Sequence, residues 1–376
     1  MNSLDVTYQL VTPAFLEGLT TKKQYLRLRE SSFKGLIRFW WRALAYHHYG
    51  PDIKQIHNKE SDIFGSTKSR SSVLFLPIDT RGMSCSDSSY DRFNKAGISY
   101  LGYGLLPPSG KNIPYIDAPF SFTVRMISPK DFDALLVNAL KVLGLIGGIG
   151  RRSRRGFGSI SIVDIKMNQE VIWQAPHTLE DYGKTLRDIL PDPELTMDLP
   201  SYTAFGRNTA IYFLEQSHQN DDVFPLWDAV GSQFQRYRSF GRKGMVGQHP
   251  AEKNFQDDHD LILHADQTVS RAPRRSIFGL PQNYRFSGGN TLTVKPRRAS
   301  PLMFHFHRFN SGAQLAFASV FPAQFLDKSE PVIRVNGVEV SGLIEEYYSV
   351  ITEFIEGNIA HHPQKPRFPE MRRIWP

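Results

Sequence analysis

The densest concentration of reactive chemistry in this sequence is GLIGGIGRRSRRGFGSISI, Gly144 to Ile162, where six glycines and four arginines precede an alternating apolar run. Guanidinium groups bind phosphate in a planar, bidentate fashion. Glycines without a Cβ let a backbone approach a phosphodiester chain and present successive N–H groups to it. Arg151, Arg152, Arg154 and Arg155 repel one another unless an anion lies among them. The stretch therefore has the composition of a polyanion site built from Gly147, Gly148, Gly150, Gly156, Gly158 and the four arginines. The competing reading is a helix C-cap and a flexible hairpin with solvated arginines. Context excludes two nucleotide motifs. A dinucleotide fingerprint has its glycines between a strand and a helix, whereas here the order is helix, glycines, strand. GKT at Gly183 to Thr185 has Thr178 where a P-loop requires glycine. Arg155-Gly156-Phe157-Gly158 and Ile160 fit part of an RNA-recognition strand pattern, but Ser159 and Ile162 stand where stacking aromatics belong, so backbone tracking is expected more than base stacking.

A second basic feature lies in FKGLIRFWWRALAYHHY, after the possible N-caps Ser31 and Ser32. At about 100° per residue Phe33, Leu36, Ile37, Trp40 and Leu44 share an arc with Trp41 at its border, while Lys34, Arg38 and Arg42 recur every fourth residue as a basic ridge. Trp41 is the candidate for stacking on a base. Further arginines gather at Arg236, Arg238 and Arg242 with Lys243, at Arg271, Arg274 and Arg275, and at Arg297 and Arg298. Hydrolytic chemistry has weaker candidates. His47 and His48 have the chemistry of a metal-free ribonuclease's general base or acid, but a helix C-terminus favours imidazolium without any catalytic role. His305 and His307 share one side of a strand, a spacing metals use, but no third ligand is in view, so they are expected as sheet-surface residues. Asp257 to Asp260, DDHD, has the ligand types for Mg²⁺ or Mn²⁺, but in a run with Glu252 and Asn254 it reads as a solvated acidic loop. No metal or cofactor is expected.

These residues need a frame to hold them. Leu4, Val6, Tyr8 and Leu10 alternate as a strand. The basic helix, the apolar run SSVLFLPI, the strand APFSFTVRMI, a helix with Ser128 as cap and Asp131 as capping-box acid, and the strand FGSISIVDI follow. Strand, helix, strand, strand, helix, strand is the ferredoxin-like βαββαβ unit. The expected class is α+β, two such RRM-like units with insertions. Residues 1–168 form the first, with an insertion at about 79–117; 169–200 form a boundary region without clear periodicity; 201–376 form a decorated second copy. In that copy a helix carries Trp227, Val230, Phe234 and Tyr237 on one face, strands lie at PLMFHFHRF, AQLAFASVF and PVIRVNGVEV, a last helix follows at GLIEEYYSVITEFIE, and the closing fourth strand is not visible.

At 376 residues the chain is long enough for two cores, and 40% hydrophobic with 22% charged residues is a globular composition. No apolar run approaches a membrane span and the opening is not a signal-peptide block, so the expected location is the cytoplasm. The lone Cys85 excludes an intrachain disulfide and a multi-thiolate zinc site. A net charge of +8 favours polyanionic partners.

TPAFLEG, SSFKGLIRFWWRAL, DIFGS at Asp62 to Ser66 and GGIGRRSRRGFG together resemble the RAMP superfamily of CRISPR proteins, and within it the first-subunit family of the type III-B Cmr effector complex. SIFGLP at Ser276 to Pro281 and RRASPLMFHF at Arg297 to Phe306 extend the resemblance through most of the chain. It implies two ferredoxin-like domains and a non-catalytic subunit at one end of a ribonucleoprotein filament, near the guide RNA (crRNA) 3′ end and the single-stranded target RNA paired with it, with the other Cmr subunits as partners in antiviral defence. By position the RNA-contacting roles fall on Lys34, Arg38, Trp41 and Arg42, on Gly147, Gly148, Gly150 and Arg151 to Gly158, and more loosely on Arg297 and Arg298. A guide-processing endoribonuclease using His47 or His48 and a protein-binding scaffold are the alternatives.

Overall fold

The opening alternation becomes β1 (Asn2–Leu10), which buries Leu4, Val6, Tyr8 and Leu10. In the computed structural model the described residues are all except 17–26, 87–90, 107–112, 193–198, 218–221, 267–268, 286–288, 290, 326–332, 341–346, 360–361 and 364–366. The end of TPAFLEG, the start of QYLRLR and the front of the last expected helix lie outside them.

The basic helix is α1 (Glu30–Tyr49) and is followed by α2 (Ile53–Phe64). SSVLFLPI contributes only β2 (Leu74–Phe75). Then come α3 (Ala96–Leu101), β3 (Phe120–Ser128), α4 (Ala134–Ile146), β4 (Ile160–Met167) and β5 (Glu170–Gln174). The strands form an antiparallel sheet in the order β2-β3-β1-β4-β5, with Asn2 opposite Ser128 and Leu10 opposite Phe120 along the full β1–β3 register. α1 and α4 cover one face, where the Tyr8 hydroxyl donates to the Leu140 carbonyl at 2.9 Å.

Both expected caps were placed wrongly. Arg29 precedes α1 without a side-chain cap, so Ser31 and Ser32 lie inside the helix. α4 starts after Asp133, whose carboxylate accepts from Leu136 N at 2.9 Å, while Asp131 instead accepts from the Asn2 amide. Asp133 competes better than Ser128 because its side chain reaches the free N–H groups of the first turn directly.

The span 169–200, read as lacking periodicity, holds β5 and α5 (Leu179–Ile189). Asn168 and Gln169 both have positive φ (51° and 74°), the backbone of a tight hairpin between β4 and β5. Thr178 caps α5 by accepting from Asp181 N at 3.1 Å, and Tyr182, Leu186 and Ile189 are its buried stripe. The second half contributes β6 (Ala210–Gln216), α6 (Phe224–Arg238), α7 (Gln256–Leu263), β7 (Leu302–Arg308), β8 (Gln314–Val320), α8 (Ser349–Glu356) and β9 (Arg372–Trp375). Its main sheet runs β7-β8-β6-β9, so β9 is the fourth strand missing from the sequence reading. Counted within each half, both sheets share the order second, third, first, fourth, with β5 added at the edge of the first. PVIRVNGVEV pairs elsewhere, in a separate antiparallel sheet with Leu280–Arg285 and Thr291–Arg298.

Packing ties the halves together. One core joins β1, α1 and α4 to Phe213, Phe317 and Trp375; the other joins Val11, Phe15 and Phe157 to Trp227 and Phe306. The 79–117 insertion lays α3 against α6. Gly97 and Gly231 let the two backbones meet, since a Cβ on Gly97 would overlap the Asp228 carbonyl, and the Asp228 carboxylate accepts from Gly97 N at 2.8 Å and Ile98 N at 3.2 Å.

Two polar clusters also correct the sequence reading. DDHD is the body of α7: buried Asp258 accepts from Arg274 N at 2.7 Å and Arg275 N at 2.9 Å, organising the short helix there. His305 and His307, each 1% exposed, lie inside the molecule where β7 meets β4. His305 Nδ1 is 2.8 Å from the Gly147 carbonyl and His307 Nδ1 is 3.2 Å from Ser161 Oγ. Among the described residues no group of three or more His, Cys, Asp or Glu could hold a metal, and no helix is long and apolar enough to cross a membrane.

Candidate nucleic-acid interface

The glycine–arginine stretch is stitched to residues 11–15. Val11 N donates to Ser159 O, Gly158 N to Pro13 O, Ile149 N to Gly158 O and Arg151 N to Phe15 O, all at 2.8–2.9 Å. The Thr12 hydroxyl donates to the Gly156 carbonyl at 2.6 Å and accepts from Ser159 N at 2.8 Å. The glycines serve this closure. Gly156 has φ +83° and a Cβ there would overlap the Phe306 ring, so only glycine fits on both counts. Gly147, Gly148, Gly156 and Gly158 are buried against their own chain and are not open to a phosphodiester; Gly150 alone of the five is exposed. Phe157 is fully buried, 4.4 Å edge-on to Trp227, which rules out a recognition-strand role for it.

The four arginines divide. Arg154 turns inward, donating to the Ser300 carbonyl at 2.7 Å and to Thr203 Oγ1 at 3.2 Å, with its guanidinium 5.5 Å from the Phe39 ring centre. Burial, then the charge of Arg298, pulls its pKa down to about 10. Arg155 donates to the Phe278 carbonyl at 2.7 Å and sits 4.8 Å from Phe234; burial and then Arg238 bring its pKa to about 9. These two half-buried cations hold the halves together. Arg151 and Arg152 face outward. Arg152 is anchored to the Tyr103 carbonyl at 2.5 Å, and its pKa is lowered by burial, then by Arg151 and Arg297. Arg297 is exposed, and Arg298 donates to the Gln324 carbonyl at 2.9 Å and to the Ser201 carbonyl at 3.3 Å. Among the described residues none of these six arginines pairs with a carboxylate. Carbonyl anchors fix the guanidiniums of Arg152, Arg154, Arg155 and Arg298 and leave their charge uncompensated.

Gly150 and Arg151 form one wall of a groove of about 370 Å³ whose other side is Arg27, Arg29, Ser32 and Phe33. The N-terminus of the 20-residue α1 opens into it, adding partial positive charge and unsatisfied N–H groups. Arg27 and Arg29 escaped the sequence reading, although the RLR triplet was visible within QYLRLR.

The basic ridge is not part of this surface. Arg38 and Arg42 both turn onto Glu60 of α2, which is 3% exposed: Arg38 Nε and Arg42 Nε donate at 2.5 Å and Arg42 Nη2 at 2.8 Å. Burial raises the Glu60 carboxyl, but the hydrogen bonds and charges of Arg42 and Arg38 outweigh it and hold it below the usual carboxylate range. Lys34 lies 5.9 Å over the Phe75 ring, its pKa lowered by burial and by Arg38. Trp41 is fully buried and its indole N–H donates to Asp133 at 3.3 Å, so it cannot stack on a base. The spacing was read correctly as a stripe. What it faces, a second helix carrying one buried acid, was not.

His47 and His48 sit at the other end of α1, about 27 Å from the groove at 1.5 Å rise per residue. Burial lowers the His47 pKa against the opposing charge of Asp192, and His48 packs edge-on against Tyr49 at 4.6 Å.

Residues 7–161 match the family model of the RAMP superfamily. The CRISPR system Cmr subunit Cmr1-1 of Pyrococcus furiosus is 26% identical over 304 residues, 77% of this chain and 78% of that protein. Cmr1-2 of the same organism is 25% identical over 174 residues, 41% of this chain and 91% of that one. Among solved structures, apo Cmr1 from Pyrococcus furiosus superposes with a TM-score of 0.64 at 22% identity, covering 100% of this chain and 99% of that one. A chain of the Type III-B Cmr-beta complex bound to cognate target RNA gives 0.51 at 14% identity, covering 94% and 98%. The chain thus matches the RAMP superfamily over residues 7–161, has the fold of Cmr1 and is similar in sequence to Cmr1-1 over 77% of its length.

Proposed function

We propose that this chain is a non-catalytic, RNA-binding subunit of a type III-B CRISPR effector complex, working in the cytoplasm in antiviral defence, and that it sits near the guide RNA 3′ end and the target RNA paired with it, beside other Cmr subunits. One observation carries the reading: outward-facing Arg151 and Arg297 lie close enough to Arg152 to add to burial in lowering its pKa, and none of the three has a carboxylate partner among the described residues. Cations held together in this way favour a phosphate backbone between them. The relative solved in a complex with target RNA supports the same assignment. The shared strand order supports two ferredoxin-like units, residues 1–168 and 201–376, with 169–200 as the connection.

Titrating the full chain with single-stranded RNA across salt tests this. Affinity should fall steeply with salt without cleavage, and replacing Arg151 and Arg297 together by alanine should flatten the log–log slope by about 1.4, at roughly 0.7 per phosphate contact on a single strand. An unchanged slope would point to acidic protein neighbours. Metal-free cleavage abolished by replacing His47 and His48 would restore the ribonuclease reading.

A further inference from the structure

Beside the arginine cluster, α1, α2 and residues 202–203 enclose a second hollow of about 440 Å³, walled by Phe39, Arg42, Ile53, Ile56, Tyr202 and Thr203. We propose that it receives one unpaired nucleobase of an RNA strand whose phosphates lie on the neighbouring arginines, a subsite that rests on the RNA-binding reading above.

Continuity is the first argument. Two walls belong to both features: Arg154 lies against Phe39 and donates to Thr203 Oγ1 at 3.2 Å. Arg298 reaches the carbonyl of Ser201, next in the chain to the wall residue Tyr202, at 3.3 Å. A strand passing over Arg298 therefore has the hollow within reach of a base attached to it.

Size and chemistry supply the second. The volume is within the range of about 300–1,000 Å³ typical of small-ligand pockets. Phe39 and Tyr202 offer π faces on which any base can stack. Among the described residues Arg42 engages only Nε and Nη2, both on Glu60, which leaves Nη1 to donate to a base carbonyl or ring nitrogen. Glu60 is offset by two guanidiniums, so the hollow does not repel an anionic strand. An apolar side chain from a protein partner would fit the aliphatic wall but would strip water from Arg42 without replacing it.

The test compares binding of the full chain to a short single-stranded RNA and to an equally long oligomer without bases. Stacking of one base corresponds to roughly a 5- to 150-fold difference in favour of the intact RNA. Ile53 is 62% exposed at the mouth of the hollow. Ile53→Trp should close it and remove that difference while leaving the salt slope of both oligomers unchanged. An independent readout uses wild-type protein alone: 5-iodouridine in the RNA should photo-crosslink to Phe39 or Tyr202. The base subsite is overturned if wild type binds both oligomers equally with a steep salt dependence, if Ile53→Trp leaves the difference intact, or if crosslinks fall only elsewhere. In each of these cases backbone binding survives. If neither oligomer binds, the RNA reading falls with it.

Discussion

Removing the carboxylate that clasps the basic ridge separates a structural from an RNA-facing role for Lys34 and Arg38. Glu60 is 3% exposed and accepts from two arginines whose side chains are 32% and 46% exposed. Breaking a fully buried ion pair by removing one member costs about 3–5 kcal/mol. Here the stranded guanidiniums can turn partly to water, so Glu60→Ala should cost about 2–3 kcal/mol at neutral pH. Urea unfolding reads this as a lower midpoint at unchanged slope. The sign with pH follows from the depressed carboxyl. Its contribution is fully present above the unfolded-state value of about 4.3 and is lost as pH falls through the lower folded-state value. The gap between wild type and variant should therefore close in acid. Lys34→Ala with Arg38→Ala should lower stability and leave the RNA salt slope unchanged. A Glu60→Ala midpoint within about 0.5 kcal/mol of wild type, together with a flattened slope in the Lys34/Arg38 variant, would refute the assignment and return the ridge to the RNA surface.

Burial pushes His305 down to about 3 and His307 well below its ordinary value, so both are neutral in the folded protein while the unfolded chain takes up protons below about 6.5. Stability is complete above that pH and should decline by up to about 1.4 kcal/mol per unit per histidine below it, a decline that melting curves will show flattened in a His305→Gln/His307→Gln variant. Gly156→Ala combines positive φ with overlap of the Phe306 ring and should cost about 2–4 kcal/mol in chemical denaturation. Gly97→Ala drives a methyl into the α6 backbone and should free α3, read as faster proteolysis within 79–117.

How much of this was legible depends on what each residue faces. β1, α1, β3, α4 and β4 announced themselves because their apolar residues repeat at the period of the element and bury on one side. β9 is four residues with two arginines, and it becomes a strand only because β6 offers an open edge. α5 was legible and was missed: Thr178 and Asp181 mark its start, and Tyr182, Leu186 and Ile189 its stripe. At the site, clustering of arginine could be read but direction could not. Arg151 and Arg155 are four positions apart, yet one is solvated and the other turns inward, because a turn with Arg152 at positive φ, closed by Arg155 N donating to the Arg152 carbonyl at 2.7 Å, reverses the chain between them. Ridge and clasp are likewise separated by 18 residues, from Arg42 to Glu60, and only the α1–α2 packing joins them.

The closure of the 147–158 segment onto residues 11–15 makes a glycine-rich stretch behave as a rigid wedge. Its amides should exchange with solvent as slowly as those of the sheets it joins. Docking a polymer on it demands little further loss of backbone freedom from the protein, so the ordering falls on the nucleic acid, whose sugar–phosphate path must conform to a template of charges cast when the chain folded.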